Sequence, residues 1–294
     1  MNWENGEYHI QINSIKHWIK IEGSEHQTTP LVLFHGGPGG NHYTFERTIG
    51  PSLSAKRTVV YYEQRGCGRS EKPISDEDYK IEQLISDFSE IKKWLDVDKV
   101  DLLGYSFGGE LSLEIAYALP NEINKIVLSG PSLIDLEMGK LIQIAGFMSV
   151  GDPQLLKQMN ELLKQNLPIS SLYEKVWSLV DTKTVDRLLF QNQTIALQNR
   201  KLWEESQLIN TGLMAKVIMG QPMETPLLDR LKHMKQQALI ITGIFDRNTG
   251  VTISKLIHNE LRNSELVIFK ESAHFPDLEE PNHFSDTVLS FLHS

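Results

Sequence analysis

Leu102-Leu103-Gly104-Tyr105-Ser106-Phe107-Gly108-Gly109 decides the fold, because it sets a Gly-x-Ser-x-Gly pentapeptide between a short apolar run and a helix-forming stretch. Residues 99–103 read as a buried strand, and residues 110–119 as a helix stopped by Pro120. A serine on such a strand-to-helix turn adopts a strained backbone. The small residues two before and two after it, Gly104 and Gly108, keep the neighbouring segments from colliding. The hydroxyl then stands clear of the sheet, which makes Ser106 the candidate nucleophile. Phe107 offers its N–H at the helix start, where the helix dipole favours a developing oxyanion. The bare pentapeptide also occurs in ordinary turns, so its weight comes from these flanks.

Outward from this turn the chain alternates strands with helices. Residues 8–21 are alternating and β-branched, and predict a hairpin around Asn13-Ser14. Leu31-Val32-Leu33-Phe34 and Thr58-Val59-Val60-Tyr61-Tyr62 are short apolar runs ending in Gly-rich loops, as buried central strands do. Residues 79–95 carry helical periodicity, and residues 125–128 form another strand. After Gly130-Pro131 strand signals stop until Ala238-Leu239-Ile240-Ile241 and Leu266-Val267-Ile268-Phe269, with helical segments at 251–261 and 283–292. This pattern is α/β: a mostly parallel central sheet with helices on both faces. We therefore divide the chain into a first core part (residues 1–130), an inserted helical lid (131–235) and a second core part (236–294). Ligand sites of such sheets lie beyond the carboxyl ends of the strands, and the lid is expected to cover them.

A serine hydroxyl is a weak nucleophile at neutral pH, so Ser106 needs a base, and the base an orienting acid. The chain order expected on this architecture is Ser, Asp, His. Of the 10 histidines, only His274 lies in a loop directly after a late apolar strand, in Glu271-Ser272-Ala273-His274-Phe275-Pro276. Asp246 ends the preceding strand in Gly243-Ile244-Phe245-Asp246 and is the candidate acid. Asp229 is read as opening a helix, and Asp277 as a carboxylate on a solvated loop. A second oxyanion donor is expected from His35-Gly36-Gly37-Pro38-Gly39-Gly40, where Gly37 N–H is favoured and Pro38 has none to give. His35 is read as bracing that loop. No Gly-Lys-Ser/Thr ending marks it as a phosphate loop.

Composition restricts the function further. The 294 residues are 40% hydrophobic and 23% charged, with a formal net charge of −9, which is globular and argues against nucleic acid or an anionic membrane as partner. A small molecule or short peptide is the expected substrate, and the oligomeric state is left open. No stretch approaches the roughly 20 apolar residues of a membrane span. The first ten residues lack a basic region followed by an apolar run, so a cytoplasmic location is expected. Cys67 is the only cysteine, excludes an intrachain disulfide, and reads as a buried, inert thiol.

His35-Gly36-Gly37-Pro38-Gly39-Gly40, Glu63-Gln64-Arg65-Gly66-Cys67-Gly68-Arg69-Ser70, Gly104-Tyr105-Ser106-Phe107-Gly108-Gly109, Asp246 and Ala273-His274-Phe275 together resemble the proline iminopeptidase family of α/β-hydrolases. The resemblance covers most of the core and is thin in the lid. It implies removal of an N-terminal residue, often proline, by acyl transfer through Ser106, with no metal or other cofactor. Family members commonly have Asp where this chain has Glu63. Peptidases of this group hold the substrate's free amine with acidic side chains, typically one from the lid and sometimes one beside the catalytic Asp. Here Arg247 follows Asp246, which would repel a cation or hold an anionic group. Glu204, in Leu202-Trp203-Glu204-Glu205, resembles the family's Trp-Glu lid segment, with Glu205 and Glu224 behind it. Trp203, Glu204 and Arg247 are thus the candidate substrate-binding residues, and Trp177, Phe190, Met214 and Met219 candidate pocket walls. Glu204 favours an aminopeptidase; Arg247 favours an esterase, lactonase or amidase using the same triad on a neutral or anionic small substrate.

Overall fold

A computed structural model describes residues 3–208, 212–220 and 225–293. Its centre is an eight-stranded sheet of β1 (Gly6–Ile12), β2 (Ile15–Glu22), β3 (Leu31–Phe34), β4 (Val59–Tyr62), β5 (Val100–Tyr105), β6 (Ile123–Ser129), β7 (Gln237–Gly243) and β8 (Ser264–Phe269), in the order β1-β2-β4-β3-β5-β6-β7-β8. β1, β2 and β4 pair antiparallel, and every other pairing is parallel. Asn13 (φ 47°) and Ser14 (φ 63°) make the two-residue turn of the β1–β2 hairpin; this left-handed pair matches the twist of the strands it joins.

The apolar runs of the central strands bury both faces, as their lack of alternation requires. Val32, Phe34, Val60 and Tyr62 point to one side, and Leu31, Leu33, Val59 and Tyr61 to the other. Short helices α1 (Tyr43–Arg47) and α2 (Gly50–Ser54) share the second side with the C-terminal helix. α3 (Ile81–Leu95) and α4 (Phe107–Ala118) cover the first. In α3 the buried residues Leu84, Phe88, Ile91 and Leu95 fall at helical spacing on one stripe.

Between β6 and β7 the described chain is helical: α5 (Glu137–Val150), α6 (Pro153–Leu163), α7 (Ile169–Leu179), α8 (Thr182–Leu189), α9 (Gln193–Ser206), α10 (Gly212–Met219) and α11 (Leu227–Leu231). Asp152, Asp181 and Asn192 cap α6, α8 and α9 by accepting backbone N–H bonds. This block has its own core of Ile144, Phe147, Leu155, Met159, Leu172, Val176 and Leu188. α12 (Gly250–Glu260), α13 (Pro276–Glu279) and α14 (Pro281–His293) complete the chain. Asp229 lies within α11, as expected.

The second sequence motif is structural. Arg65 binds Asp87 of α3 through two bonds of 2.6 Å, with 1% and 0% of the two side chains exposed. Glu63 accepts from His42 N at 3.2 Å and from the Arg69 guanidinium at 2.6 and 3.1 Å. Buried Cys67 has its thiol pKa pushed well up by desolvation, which keeps it protonated and inert. Removing one partner of a buried pair leaves an uncompensated charge. Asp87→Ala is therefore expected to lower the unfolding free energy by about 3–5 kcal/mol in urea titrations, and the paired apolar replacement Arg65→Met with Asp87→Leu by clearly less.

Candidate active site

The candidate catalytic side chains stand where parallel strands end. Ser106 follows β5 with φ 55° and ψ −124°, a positive-φ conformation that a non-glycine residue holds only under strain. Its backbone is pinned on both sides: Ser106 N–H donates to Ser129 O at 2.9 Å, and its carbonyl accepts from Gly109 N at 2.9 Å and Ser132 N at 3.2 Å. The turn is this tight because of two glycines. A Cβ on Gly104 would come within 2.0 Å of Gly108 O, and one on Gly108 within 2.0 Å of Phe34 O.

His274 lies in the loop after β8 and is 4% exposed; Asp246 follows β7 and is 7% exposed. His274 Nδ1 is 3.1 Å from Asp246 Oδ2, and Nε2 is 3.1 Å from Asn248 Nδ2. The two partners select one tautomer: Nδ1–H donates to the carboxylate, and Nε2 accepts from the Asn248 amide and keeps the lone pair a base requires. Asp246 also accepts from Asn248 N, Thr249 N and Thr249 Oγ1, at 2.8 to 3.0 Å. Burial alone would raise its pKa, but His274 and these hydrogen bonds outweigh burial and hold it below the usual carboxylate range. Ser106 and His274 border one cavity of about 360 Å³. Among the described residues Ser106 Oγ makes no hydrogen bond; such bonds commonly tighten only when substrate is bound.

Gly36 to Gly40 form another wall of this cavity, and a Cβ on Gly36 would sit 2.9 Å from that of Ser106. His35 braces the loop. It donates from Nδ1 to Gly36 O at 3.0 Å and accepts at Nε2 from Gln64 N at 3.1 Å. Gly37 thus lies on a loop packed against the Ser106 turn, and Phe107 opens α4 immediately after it.

The helical block between β6 and β7 contributes Trp177, Trp203 and Met219 to the cavity wall. Phe190 stands behind, stacked on Phe275 at 4.9 Å, and Met214 is buried in the main core. Two expected substrate-binding residues lie elsewhere. Glu204, next to Trp203 on α9, is exposed and does not line the cavity; Glu205 is also exposed and accepts from Tyr43 Oη at 3.2 Å. Glu224 lies outside the described residues. Arg247 turns away toward the lid and donates to Gln191 Oε1 at 2.8 Å, bridging core and lid. Glu279 reinforces that junction by accepting from Gln191 N (2.8 Å), Asn192 N (2.6 Å) and Ala273 N (2.6 Å).

Asp277 overturns its expected place on a solvated loop: it is 6% exposed and lines the cavity. Burial pushes its pKa up to about 7. Its position in the first turn of α13, three residues after the histidine, was the available signal, since that turn is buried. Among the described residues no three His, Cys, Asp or Glu side chains gather as a metal site, and no helix is long and apolar enough to cross a membrane.

The chain belongs to the alpha/beta hydrolase fold family, whose pattern matches residues 29–281. Within it, the chain is proline iminopeptidase-like. It is 29% identical to a proline iminopeptidase of Saccharolobus solfataricus, covering 96% of this chain and 89% of that one. It is 28% identical to one of Thermoplasma volcanium, covering 97% and 95%. Among solved structures, a proline iminopeptidase-related protein of Thermus thermophilus superposes with a TM-score of 0.79 at 18% identity, over 97% of this chain and 96% of the other. An esterase of Exiguobacterium antarcticum, 21% identical, shares the fold with a TM-score of 0.70 over 98% and 100%.

The strain at Ser106 has a measurable consequence. Glycine adopts this backbone without a Cβ penalty, so Ser106→Gly is expected to be more stable than Ser106→Ala by about 1 kcal/mol in urea unfolding.

Proposed function

We propose that the protein is a serine aminopeptidase that releases N-terminal proline, or another small or apolar residue, from short peptides through a Ser106–His274–Asp246 triad. The observation that carries this reading is the tautomer of His274: Nδ1–H faces Asp246, and Nε2, whose lone pair accepts from the Asn248 amide, belongs to the same cavity wall as the strained Ser106. The near full-length likeness to proteins named proline iminopeptidase supports the peptide substrate. An anionic substrate is disfavoured, since no Lys or Arg lines the cavity among the described residues.

In this mechanism His274 Nε2 exchanges the Asn248 amide for the Ser106 hydroxyl and takes its proton as Oγ attacks the scissile carbonyl. The N–H groups of Gly37 and Phe107 hold the resulting oxyanion, the latter aided by the α4 dipole. Asp246, held ionised across the working pH range, steadies the imidazolium. The C–N bond breaks as His274 returns its proton to the leaving amine. Water, activated by the same imidazole, then hydrolyses the acyl-enzyme. Apolar walls from Trp177, Trp203 and Met219 suit a small ring or aliphatic side chain.

Turnover of proline p-nitroanilide, its N-acetylated counterpart and p-nitrophenyl acetate tests the proposal. Cleavage of the free-amine anilide alone is the expected result; ester cleavage with neither anilide cut moves the reading to an esterase, lactonase or amidase. Ser106→Ala and His274→Ala are each expected to lower kcat by about 10⁴-fold or more, and Asp246→Asn by about 10³–10⁴-fold. Near-normal turnover in Ser106→Ala would refute the nucleophile assignment.

A further inference from the structure

The cavity holds one side chain that the acyl-transfer steps leave unused. Asp277 is the single acidic residue lining it, and no Lys or Arg lines it, among the described residues. Asp277 is 6% exposed, and no other residue among the described ones donates a hydrogen bond to its carboxylate. A buried carboxylate with so few donors is expensive to keep ionised. Such a group is retained most economically where a ligand brings the missing charge, and Asp277 shares its cavity with Ser106.

We propose that Asp277 is the amine anchor of this protein: its carboxylate pairs with the ammonium group of the substrate and so selects substrates with a free N-terminus. The inference rests on the aminopeptidase reading and moves the anchor from the lid face, where Glu204 stands exposed, to the first turn after the His274 loop. It also accounts for a largely apolar cavity with a single acidic point among the described residues: the side chain of the first residue packs on Trp177 and Trp203, and its amine points to Asp277.

Among the described residues three titratable groups interact with Asp277. His274, on the same loop, favours the ionised carboxylate; Glu279 of α13 opposes it; Tyr105 of β5 stays neutral, its own pKa raised by burial and by Asp277. With burial dominant, the unliganded carboxyl takes up a proton as pH falls through about 7, and an ammonium ligand must then expel that proton to bind. Affinity for an ammonium is therefore expected to fall on acidification, while affinity for an uncharged analogue stays level.

Calorimetric titration of the full chain with prolinamide and with N-acetylprolinamide tests this without requiring turnover. The wild type is expected to bind the free amine about 30-fold or more tightly at pH 7. That preference should shrink about tenfold at pH 5.5, where the α-amino group, with a reference pKa of about 7.7–8.0, is still charged. Asp277→Asn should erase both the preference and its pH dependence. Equal binding of the two ligands by the wild type, or a preference that survives in Asp277→Asn, overturns the proposal. The wild-type comparison stands even if the variant fails to fold. Selective amine binding without any cleavage of proline p-nitroanilide would uphold the anchor and sink the peptidase reading; cleavage of the free-amine anilide alone, with the amine preference in binding unchanged in Asp277→Asn, would do the reverse.

Discussion

Everything at this site depends on how closely the first turn of α4 approaches the ends of β3 and β5. The carbonyl of Phe34 occupies the space a Cβ on residue 108 would need, and the carbonyl of Gly108 the space of one on residue 104. With both glycines in place the chain can reverse within one residue, which forces Ser106 to a positive φ and lifts its side chain toward the cavity. The same approach sets the Gly36–Gly40 loop against Ser106 and leaves the N-terminal dipole of α4 directed at the proposed reacting position. The serine turn, the glycine loop and the helix dipole are thus consequences of one packing contact.

A second constraint couples the lid to the His274 loop. His274 N–H donates to Leu189 O at the end of α8, and Glu279 binds Gln191 N, Asn192 N and Ala273 N together. Arg247 adds a bond to Gln191. The segment joining α8 to α9 is therefore tied to both loops that carry the proposed base and its acid. Displacement of this part of the lid would strain the loops that orient His274, so cavity cover and imidazole geometry share hydrogen bonds.

The electrostatics of the cavity follow from which groups burial leaves paired. Asp246 accepts four hydrogen bonds and stays ionised despite burial. Asp277, equally buried, lacks such donors and is pushed the other way. Two equally buried carboxylates thus have their pKa values displaced in opposite directions because one is surrounded by N–H and O–H donors and the other is not.

The sequence by itself determined what depends on local spacing. The strand runs, the Asn13-Ser14 hairpin and the turn at Ser106 each arise from residues a few positions apart, and the structure contains each of them. The order of Asp246 and His274 after β7 and β8 is likewise a matter of where strands end. Only the tertiary structure decided which charges face the cavity. Trp203 and Glu204 are adjacent, yet a helix turns about 100° per residue, so one lines the cavity and the other meets solvent. Arg247, beside the acid in sequence, is drawn to a lid carbonyl and amide that no local pattern reveals. Asp277 reads as a loop carboxylate until the fold buries it near Tyr105, because burial is a property of what packs against a residue and not of its neighbours in the chain.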